Sequence, residues 1–372
     1  MTRSVVIGAG IMGLSIAWEL AKRGHRVTVV QRGQVGRQAS WAGAGILVPA
    51  NQETAIHPLD QLTALSNRLH AEWADQLKSE TGIDNGYQVC GGIYLARSLG
   101  ERAALSGLKN YWTECQIDYH ELSMAELAVQ QPHLLTDGIQ MALSLPGEAQ
   151  IRNPHHLRAL KAACQKRGVE FLSEVDDLCF ETQASQLTGL RIGNHRITGD
   201  TFCVAAGAWT TQLLHPLGVP LSMIPVRGQM LLYLWPEGML TTILNEGSRY
   251  LVPRRDGHLL VGSSTEEAGF DPTTTSEVLE ELGAFAESLF PALNPQRLES
   301  SWAGLRPATY DGFPYLGRLP DWENGFVATG HFKVGLQQST GTACIMADLI
   351  ENQSLSIDIT PFAPSRVSET AT

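Results

Sequence analysis

The chain has 372 residues, 43% of them hydrophobic and 17% charged, which excludes a disordered protein and favours two domains over one. Its formal net charge is −11, and no run of lysines or arginines could follow a phosphate backbone, so nucleic-acid binding is disfavoured. No apolar stretch approaches the roughly 18 to 20 residues that span a bilayer. The first apolar segment also lacks a cleavage pattern, so we expect no transmembrane segment and a cytoplasmic location.

The N-terminal segment predicts a βαβ unit. Residues 4–7 form a short β-branched run that is typical of a strand. Apolar residues then recur at helical spacing between residues 14 and 21, until a basic turn and Gly24 end the helix. Residues 26–30 contain the run Val-Thr-Val-Val, which is typical of a buried parallel strand.

The middle of the chain changes character twice. Helical patterns dominate residues 59–127, with an expected β-hairpin at residues 88–96. A β-α-β pattern then returns, with a helix at residues 154–167 and strands at residues 169–172 and 201–205. A different module therefore separates two parts of one parallel sheet.

From residue 213 to residue 302 strands alternate with turns, which is typical of an antiparallel sheet with one solvent-exposed face. The elements predicted there and beyond are strands at 230–234, 250–253, 258–261 and 326–328 and helices at 276–289 and 340–350. We expect little structure after Pro361.

The first turn carries the motif Gly8-Ala9-Gly10-Ile11-Met12-Gly13. It follows a predicted strand and opens a predicted helix, which is the context that a G-x-G-x-x-G motif needs to bind a dinucleotide. Gly8 permits the tight turn, Gly10 lets the backbone approach a pyrophosphate, and Gly13 allows close packing of helix on strand. The helix N-terminus attracts the anion.

The end of the second strand departs from the dinucleotide pattern, which places an acid there for the ribose hydroxyls. This chain has Gln31 followed by Arg32. Glutamine can accept and donate a hydrogen bond but lacks charge, which predicts a loss of roughly 1 kcal/mol of cofactor binding. Arg32 keeps open a 2′-phosphate and thus NADP, which we rank below FAD because of the following segments.

Three glycine-bearing segments follow strands and are expected to converge on one crevice: residues 40–47, 205–209 and 329–335. The first is small and glycine-rich, and it suits a backbone packed against a flat ring. Taken alone, it could equally be a flexible loop. Together the three predict a site at the carboxyl ends of the parallel strands.

Four further blocks carry a resemblance that covers nearly the whole chain: Tyr-Leu-Val-Pro-Arg at 250–254, Trp-Ala-Gly-Leu-Arg-Pro at 302–307, Asp-Gly-Phe-Pro-Tyr-Leu-Gly at 311–317, and Gly-His-Phe at 330–332. With residues 8–13 and 40–47, they make the chain similar to the D-amino-acid oxidase superfamily of FAD enzymes. Within that superfamily it resembles the glycine oxidases of thiamine synthesis. The second of the four blocks is the most specific.

The resemblance implies an α/β protein in which a Rossmann-type FAD-binding domain joins a second, mainly antiparallel α+β substrate domain. We expect residues 1–55, 145–212 and 303–365 to form the FAD-binding domain, and residues 56–144 and 213–302 to form the substrate domain. The residues expected to contact FAD are Gly8, Gly10, Ile11, Met12, Gly13, Gln31, Arg32, Ala39, Ser40, Ala44, Gly45, Ile46, Gly207, Gly330, His331, Phe332, Lys333, Val334, Gly335, Leu336 and Gln337.

By the same resemblance, Arg306 clamps the substrate carboxylate through its planar guanidinium, and Tyr250 adds its hydroxyl. Lys333 stands where the family usually has arginine, and it would stabilise negative charge on the reduced flavin. Thr265 would line the substrate pocket at a position where glycine oxidases tend to carry a larger apolar residue. His331 is expected to pack or bond near the flavin.

The implied reaction is hydride transfer from the α-carbon of a small amino acid, such as glycine, sarcosine or a small D-amino acid, to non-covalent FAD. The imine is then hydrolysed, and oxygen is the expected electron acceptor, giving hydrogen peroxide. Two alternatives remain open: a D-amino-acid or opine-type dehydrogenase with another acceptor, and a non-catalytic flavin-binding homologue. A homo-oligomer is compatible with the sequence.

Cysteine and histidine usage indicates no metal site. The six cysteines are scattered singly without C-x-x-C spacing, which argues against zinc or a redox dithiol. The block at residues 302–317 contains no cysteine, so we expect dissociable FAD. The eleven histidines form no evident catalytic triad or metal-binding pattern.

Overall fold

The computed structural model describes residues 1–236, 238–293 and 298–367. Numbered in chain order, its strands are β1 Arg3–Ile7, β2 Arg26–Val30, β3 Ile46–Leu47, β4 Gln88–Val89, β5 Gly92–Ala96, β6 His120–Glu121, β7 Met141–Leu145, β8 Ala149–Gln150, β9 Glu170–Leu172, β10 Leu178–Gln183, β11 Gln186–Ile192, β12 His195–Ile197, β13 Thr201–Val204, β14 Met223–Leu234, β15 Ile243–Glu246, β16 Arg249–Arg254, β17 His258–Gly262, β18 Leu298–Thr309, β19 Tyr315–Arg318 and β20 Gly325–Thr329.

Its α-helices, also in chain order, are α1 Ile11–Lys22, α2 Ala39–Ala42, α3 Pro58–Thr81, α4 Leu99–Glu114, α5 Met124–Gln130, α6 Asn153–Lys166, α7 Thr210–Leu214, α8 Ser276–Leu289 and α9 Ser339–Ile350. Short 3₁₀ turns lie at Gly207–Trp209, His215–Leu217, Pro291–Leu293, Thr360–Phe362 and Pro364–Val367. No helix in these described ranges is long and apolar enough to cross a membrane. The cytoplasmic location stays a prediction.

A six-stranded sheet forms one half of the architecture and takes its strands from the beginning, middle and end of the chain, in the order β19-β20-β13-β1-β2-β9. The five strands from β20 to β9 are mutually parallel, and β19 pairs antiparallel with β20 at one edge. Helices α1, α3, α6 and α9 pack together on one face in the largest apolar core. The predicted βαβ unit and the Rossmann-type sheet are confirmed.

A small antiparallel sheet of β10, β11 and β12 covers the opposite face. Its residues Leu187 and Leu190 are buried against Val5, Ile7 and Val204 of the parallel sheet. These three strands were not predicted from the sequence pattern. They complete a three-layer arrangement of helices, parallel sheet and small sheet.

An eight-stranded sheet forms the second half, with strand order β18-β14-β17-β16-β15-β5-β7-β6. Neighbouring strands are antiparallel except for β15 and β5, so the predicted, mainly antiparallel sheet is confirmed. Helix α8 begins and ends at the predicted residues and packs against β14 and β17. Strand β18 crosses the expected domain boundary at residues 302/303 and stays in this sheet throughout.

The predicted hairpin at residues 88–96 is wrong. Strand β4 pairs with β8 in a small sheet that also contains β3, whereas β5 pairs with β7 and β15 in the large sheet. Gly91, at φ 73°, separates the two strands and sends them to different sheets. Long-range pairing therefore overrides the local turn signal.

Candidate active site

A cavity of about 560 Å³ lies where the two halves meet, at the carboxyl ends of the parallel strands. The expected site residues that line it are Gly8, Gly10, Ile11, Met12, Gln31, Arg32, Ala39, Ser40, Ala44, Gly45, Ile46, Gly207, Tyr250, Arg306, Gly330, His331, Phe332, Lys333, Gly335, Leu336 and Gln337. The structure thus brings together residues from both ends of the chain and from both large sheets.

The glycine turn after β1 leaves no room for side chains on two of its three glycines. A Cβ on Gly8, which has φ 111°, would lie 2.3 Å from the Ala205 carbonyl oxygen. A Cβ on Gly13 would lie 1.8 Å from the Gly8 carbonyl oxygen, so Gly13 packs α1 onto β1 and does not line the cavity. Gly10 carries no side chain to cap α1, whose first residues face the cavity.

Ser40 supplies the hydrogen bond that the start of α1 lacks. Its hydroxyl oxygen accepts from the Ile11 backbone N–H at 2.9 Å. The Ser40 carbonyl in turn accepts from the Asn153 amide at 2.8 Å. The short helix α2 is thereby tied to the glycine turn, and both face the same cavity.

Gln31 and Arg32 line the end of the cavity beside the glycine turn. The Gln31 side-chain oxygen accepts from the Ala9 backbone N–H at 2.7 Å, which leaves its amide N–H₂ as the group available to a ligand. Arg32 lies over the Trp209 ring, 4.7 Å from its centroid, within the range of a cation–π contact. Trp209 also lines the cavity, and it belongs to the segment 205–209 that was expected to border the crevice.

The segment from Gly43 to Ile46 forms one wall. Gly45 has φ 74°, and a Cβ there would lie 2.0 Å from the Ile151 carbonyl oxygen, so only glycine fits. Behind this wall, the Arg254 guanidinium donates to the Ala44 carbonyl and, at 2.7 Å, to the Gln150 side chain. Burial lowers the pKa of Arg254 to about 9, which still leaves it charged at neutral pH.

Arg306 projects from β18 into the other end of the cavity. Its guanidinium donates to the Ser264 carbonyl and the Ser263 hydroxyl, both at 3.0 Å. Within the part of the chain that the structure describes, no carboxylate forms an ion pair with Arg306. Burial lowers the pKa of its guanidinium. A partly buried cation that faces a cavity without an anionic partner is suited to bind an anion.

Gly228 leaves the space that the Arg306 guanidinium occupies. A Cβ on Gly228 would lie 2.0 Å from Nη2 of Arg306 and 2.2 Å from its Cζ. The guanidinium therefore lies flat over the backbone of β14, the neighbour of β18 in the sheet. No pattern in the sequence indicated this role for Gly228.

Tyr250 and Ser263 lie beside Arg306 at the same end. Burial raises the pKa of Tyr250, whose hydroxyl contacts the Met230 sulfur at 3.5 Å. Ser263 is 6% exposed, lines the cavity and follows β17 directly. Ser263 was missed by the sequence analysis, which chose Thr265 instead.

Three expected site residues lie outside the cavity. Thr265 and Val334 are exposed, and neither they nor Gly13 are among the lining residues. Thr265 points outward because the chain leaves the sheet after Gly262, so Ser263 takes the inward position. The expectation that Thr265 lines the pocket is therefore not met by the geometry.

The segment after β20 closes the cavity with residues of different kinds. His331 is buried, bonds Thr342 at 3.1 Å through Nε2, and has its pKa lowered by burial to about 3, so it is neutral. Lys333 is exposed at the cavity edge, and its pKa is lowered by burial and by the nearby charge of Arg306. Two positive side chains thus share this end of the cavity.

The residues present fit FAD. A glycine turn without room for Cβ atoms, a helix start without its own side-chain cap, and polar groups at the end of β2 form the cradle that a dinucleotide needs. Gly45 and Gly330 keep the remaining wall free of side chains. In the described residues, no group of three or more His, Cys, Asp or Glu could hold a metal ion. Fold and site together define a dinucleotide-dependent oxidoreductase of the flavin type.

Comparisons with known proteins agree with this class. A family model described as "DAO: FAD dependent oxidoreductase" matches residues 3–349. A glycine oxidase from Pseudomonas aeruginosa is 34% identical over 98% of this chain and 98% of its own. The crystal structure of glycine oxidase from Geobacillus kaustophilus has a TM-score of 0.90 at 30% identity, covering 98% of this chain and 99% of that one.

The chain belongs to this family of FAD-dependent oxidoreductases. The predicted family, fold class and cofactor are thereby confirmed. A D-amino acid dehydrogenase from Xanthobacter autotrophicus is also similar, at 28% identity over 99% of this chain and all of that protein.

Proposed function

We propose that this enzyme oxidises a small amino acid, such as glycine, sarcosine or a small D-amino acid, at its amine-bearing carbon. One observation carries the proposal: the partly buried Arg306 guanidinium has no carboxylate partner in the described residues and faces the cavity that the glycine turn enters. A guanidinium in this setting suits a carboxylate, which it can bind through two parallel hydrogen bonds. The glycine oxidases that are 30 to 34% identical support the same substrate class.

The chain's own residues would hold and orient the substrate. Arg306 would clamp the carboxylate, with Tyr250 and Ser263 offering hydroxyl groups beside it. Orientation is then the main contribution of the protein, because fixing two reacting groups in one geometry removes much of the entropic barrier. His331 is buried, neutral and bonded to Thr342, so it serves structure and takes no proton.

FAD, when bound, supplies the acceptor for the hydride that leaves the α-carbon. The glycine turn, Ser40, Gln31 and the segments at 43–46 and 330–337 would hold it. We propose that Lys333 stabilises negative charge at the ring end of the cofactor. We also propose non-covalent attachment, because no cysteine is among the described residues that line the cavity. The six-stranded sheet would thus serve the cofactor and the eight-stranded sheet the substrate.

The test is anaerobic bleaching of the flavin absorbance by glycine, sarcosine, D-alanine and D-proline. Arg306→Ala serves as the matched variant, because it removes the anchor and leaves the glycine cradle intact. We expect wild-type flavin to bleach with at least one of these amines and the variant to stay yellow. A wild-type flavin that none of them bleaches would refute the proposal.

We propose oxygen as the electron acceptor, with hydrogen peroxide as the product. The similar D-amino acid dehydrogenase supports a second candidate, a dehydrogenase with a different acceptor. Reoxidation of the bleached flavin in air separates the two candidates. Rapid return of the yellow colour with release of peroxide supports an oxidase, and slow return that a quinone accelerates supports a dehydrogenase.

A further inference from the structure

A carboxylate lies beside Arg306 without pairing with it. Glu266 belongs to the loop between β17 and α8, and its side chain accepts from Arg227 Nη2 at 2.7 Å and from Gln229 Nε2 at 3.0 Å. The Ser264 hydroxyl also donates to it. Burial opposes ionisation of Glu266, but these donors outweigh that cost and lower its pKa, so it carries a full negative charge.

The same loop holds the Arg306 guanidinium. Arg306 Nη1 donates to the Ser264 carbonyl at 3.0 Å, while the Ser264 hydroxyl bonds Glu266. One serine therefore separates the cation from the anion, and the charge of Glu266 acts on Arg306 and opposes the lowering of its pKa. Two guanidinium groups thus compete for one carboxylate.

Arg227, and not Arg306, forms the ion pair with Glu266 because of its position on β14. It lies on β14, one position from the strand partner of Arg306, and its backbone pairs with that of Glu266 in an isolated bridge. Its side chain is only 8% exposed and bonds both Glu266 and Asp271, the latter at 2.9 Å. A buried guanidinium between two acids cannot leave without exposing unpaired charge, which makes the arrangement firm.

We propose that Arg227 is a positioning residue that keeps Glu266 away from Arg306, so that the Arg306 guanidinium stays available to a carboxylate in the cavity. This inference rests on the proposed function in one respect, that Arg306 is the carboxylate anchor. Without Arg227, Glu266 would lose its cationic partner and keep only the neutral donors Gln229 and Ser264, and the nearest remaining guanidinium would be that of Arg306 on the other side of Ser264. Glu266 would pair with Arg306 and compete with the substrate for the same donors.

The experiment measures carboxylate binding without turnover. Acetate is titrated into the FAD-loaded protein, and its dissociation constant is read from the change in flavin absorbance. Arg227→Met should weaken acetate binding roughly 10- to 100-fold, the range expected when a charge-assisted anchor is lost. The matched control is Arg97→Met, which removes an arginine paired with the buried Glu246 at 2.8 Å in the same sheet, away from the cavity. The control should bind acetate as wild type does.

Rescue separates this role from a merely structural one. The double variant Arg227→Met/Glu266→Gln removes the carboxylate that Ser264 joins to Arg306, while Asp271 stays half exposed and bonded to the Thr273 backbone, so acetate affinity should return to within about threefold of wild type. With an amino-acid substrate, Arg227→Met should raise KM while the bleaching rate at saturation changes far less. A double variant that binds acetate no better than Arg227→Met would overturn the inference, as would Arg227→Met binding it like the Arg97→Met control.

Glu266→Gln alone keeps the test decisive if Arg227→Met does not fold. Glu266 is partly exposed, so this change is milder. Acetate binding should be unchanged or tighter, and a tenfold loss would contradict the inference. If the acetate results follow these expectations and no amine bleaches the flavin, the positioning role stands and the proposed function fails.

Discussion

Replacing Gly228 by alanine tests whether the position of Arg306 controls the reaction. The added methyl carbon would lie 2.0 Å from Arg306 Nη2, so the guanidinium must move by more than about 1 Å to reach an ordinary van der Waals separation. A misplacement of that size costs roughly 100-fold in rate. We therefore expect kcat/KM of Gly228→Ala to fall about 100-fold, or ~2.7 kcal/mol of transition-state stabilisation.

The assay is stopped-flow bleaching of the flavin with glycine or sarcosine, together with the FAD content of the purified protein. The FAD content should be unchanged, because Gly228 lies on β14 and not in the glycine turn. Gly107→Ala is the control, since a Cβ at Gly107 in α4 meets nothing within 4 Å. A Gly228→Ala enzyme with wild-type kcat/KM would refute the link between this glycine and the anchor.

Three further predictions concern the anchor, the cofactor and pH. Arg306→Ala should retain FAD and lose at least about 100-fold in kcat/KM for amino acids, because bidentate contacts to the carboxylate are lost; loss of FAD instead would show that Arg306 serves the fold. Gln31→Glu should tighten FAD binding by about fivefold, near 1 kcal/mol, because a carboxylate accepts a stronger hydrogen bond than an amide. Flavin fluorescence during reconstitution of the apoprotein measures this affinity, and weaker binding would contradict the assignment of Gln31 to the cofactor. Burial lowers the pKa of His70 to about 4 and those of His156 and His331 to about 3. The unfolded chain takes up these protons near pH 6.5, so each histidine should lower the free energy of unfolding by about 1 kcal/mol between pH 7 and 5.5. Buried Glu148 offsets part of this loss, because burial raises its pKa to about 7 and the folded state gains that proton over the same range. Urea titrations at both pH values check this, and His156→Gln should remove about 1 kcal/mol of the loss; equal midpoints at the two pH values would contradict it.

Local signals predicted the parallel half of the fold well. The spacing of apolar residues and the glycine after the basic turn gave α1 and β2, which the structure places at Ile11–Lys22 and Arg26–Val30. Helix α8 begins at Ser276 and ends at Leu289, as its amphipathic pattern predicted. The spacing of apolar residues and the end signals of these elements lie within the element itself, so sequence pattern suffices to find them although their packing partners lie far away in the chain.

Pairing over long distances is what the sequence did not reveal. The segment at 88–96 has the turn of a hairpin, but its two strands pair with β7, β8 and β15, distant in the chain and in different sheets. The sheet at residues 178–197 was missed, although its three strands are consecutive. Many of its residues are half-buried or exposed, so its strands lack a clear alternation.

The candidate site divides in the same way. The glycine turn and Arg306 could be found because each belongs to a short, recognisable sequence motif. Ser263, Gly228 and Arg227 could not, since each matters only through a residue brought near by the sheet. Thr265 was chosen two positions too late, because the point at which the chain leaves β17 depends on the contacts of the following loop.

The walls of the cavity come from opposite ends of the chain, with Gly8 after β1 and Gly335 before α9. The central strand β1 pairs with β13, which is itself flanked by β20, so the sheet under the cofactor is incomplete until residue 329 has been synthesised. The cavity is therefore not yet formed in a nascent chain during most of its synthesis on the ribosome. Flavin can therefore bind only after most of the chain has been synthesised.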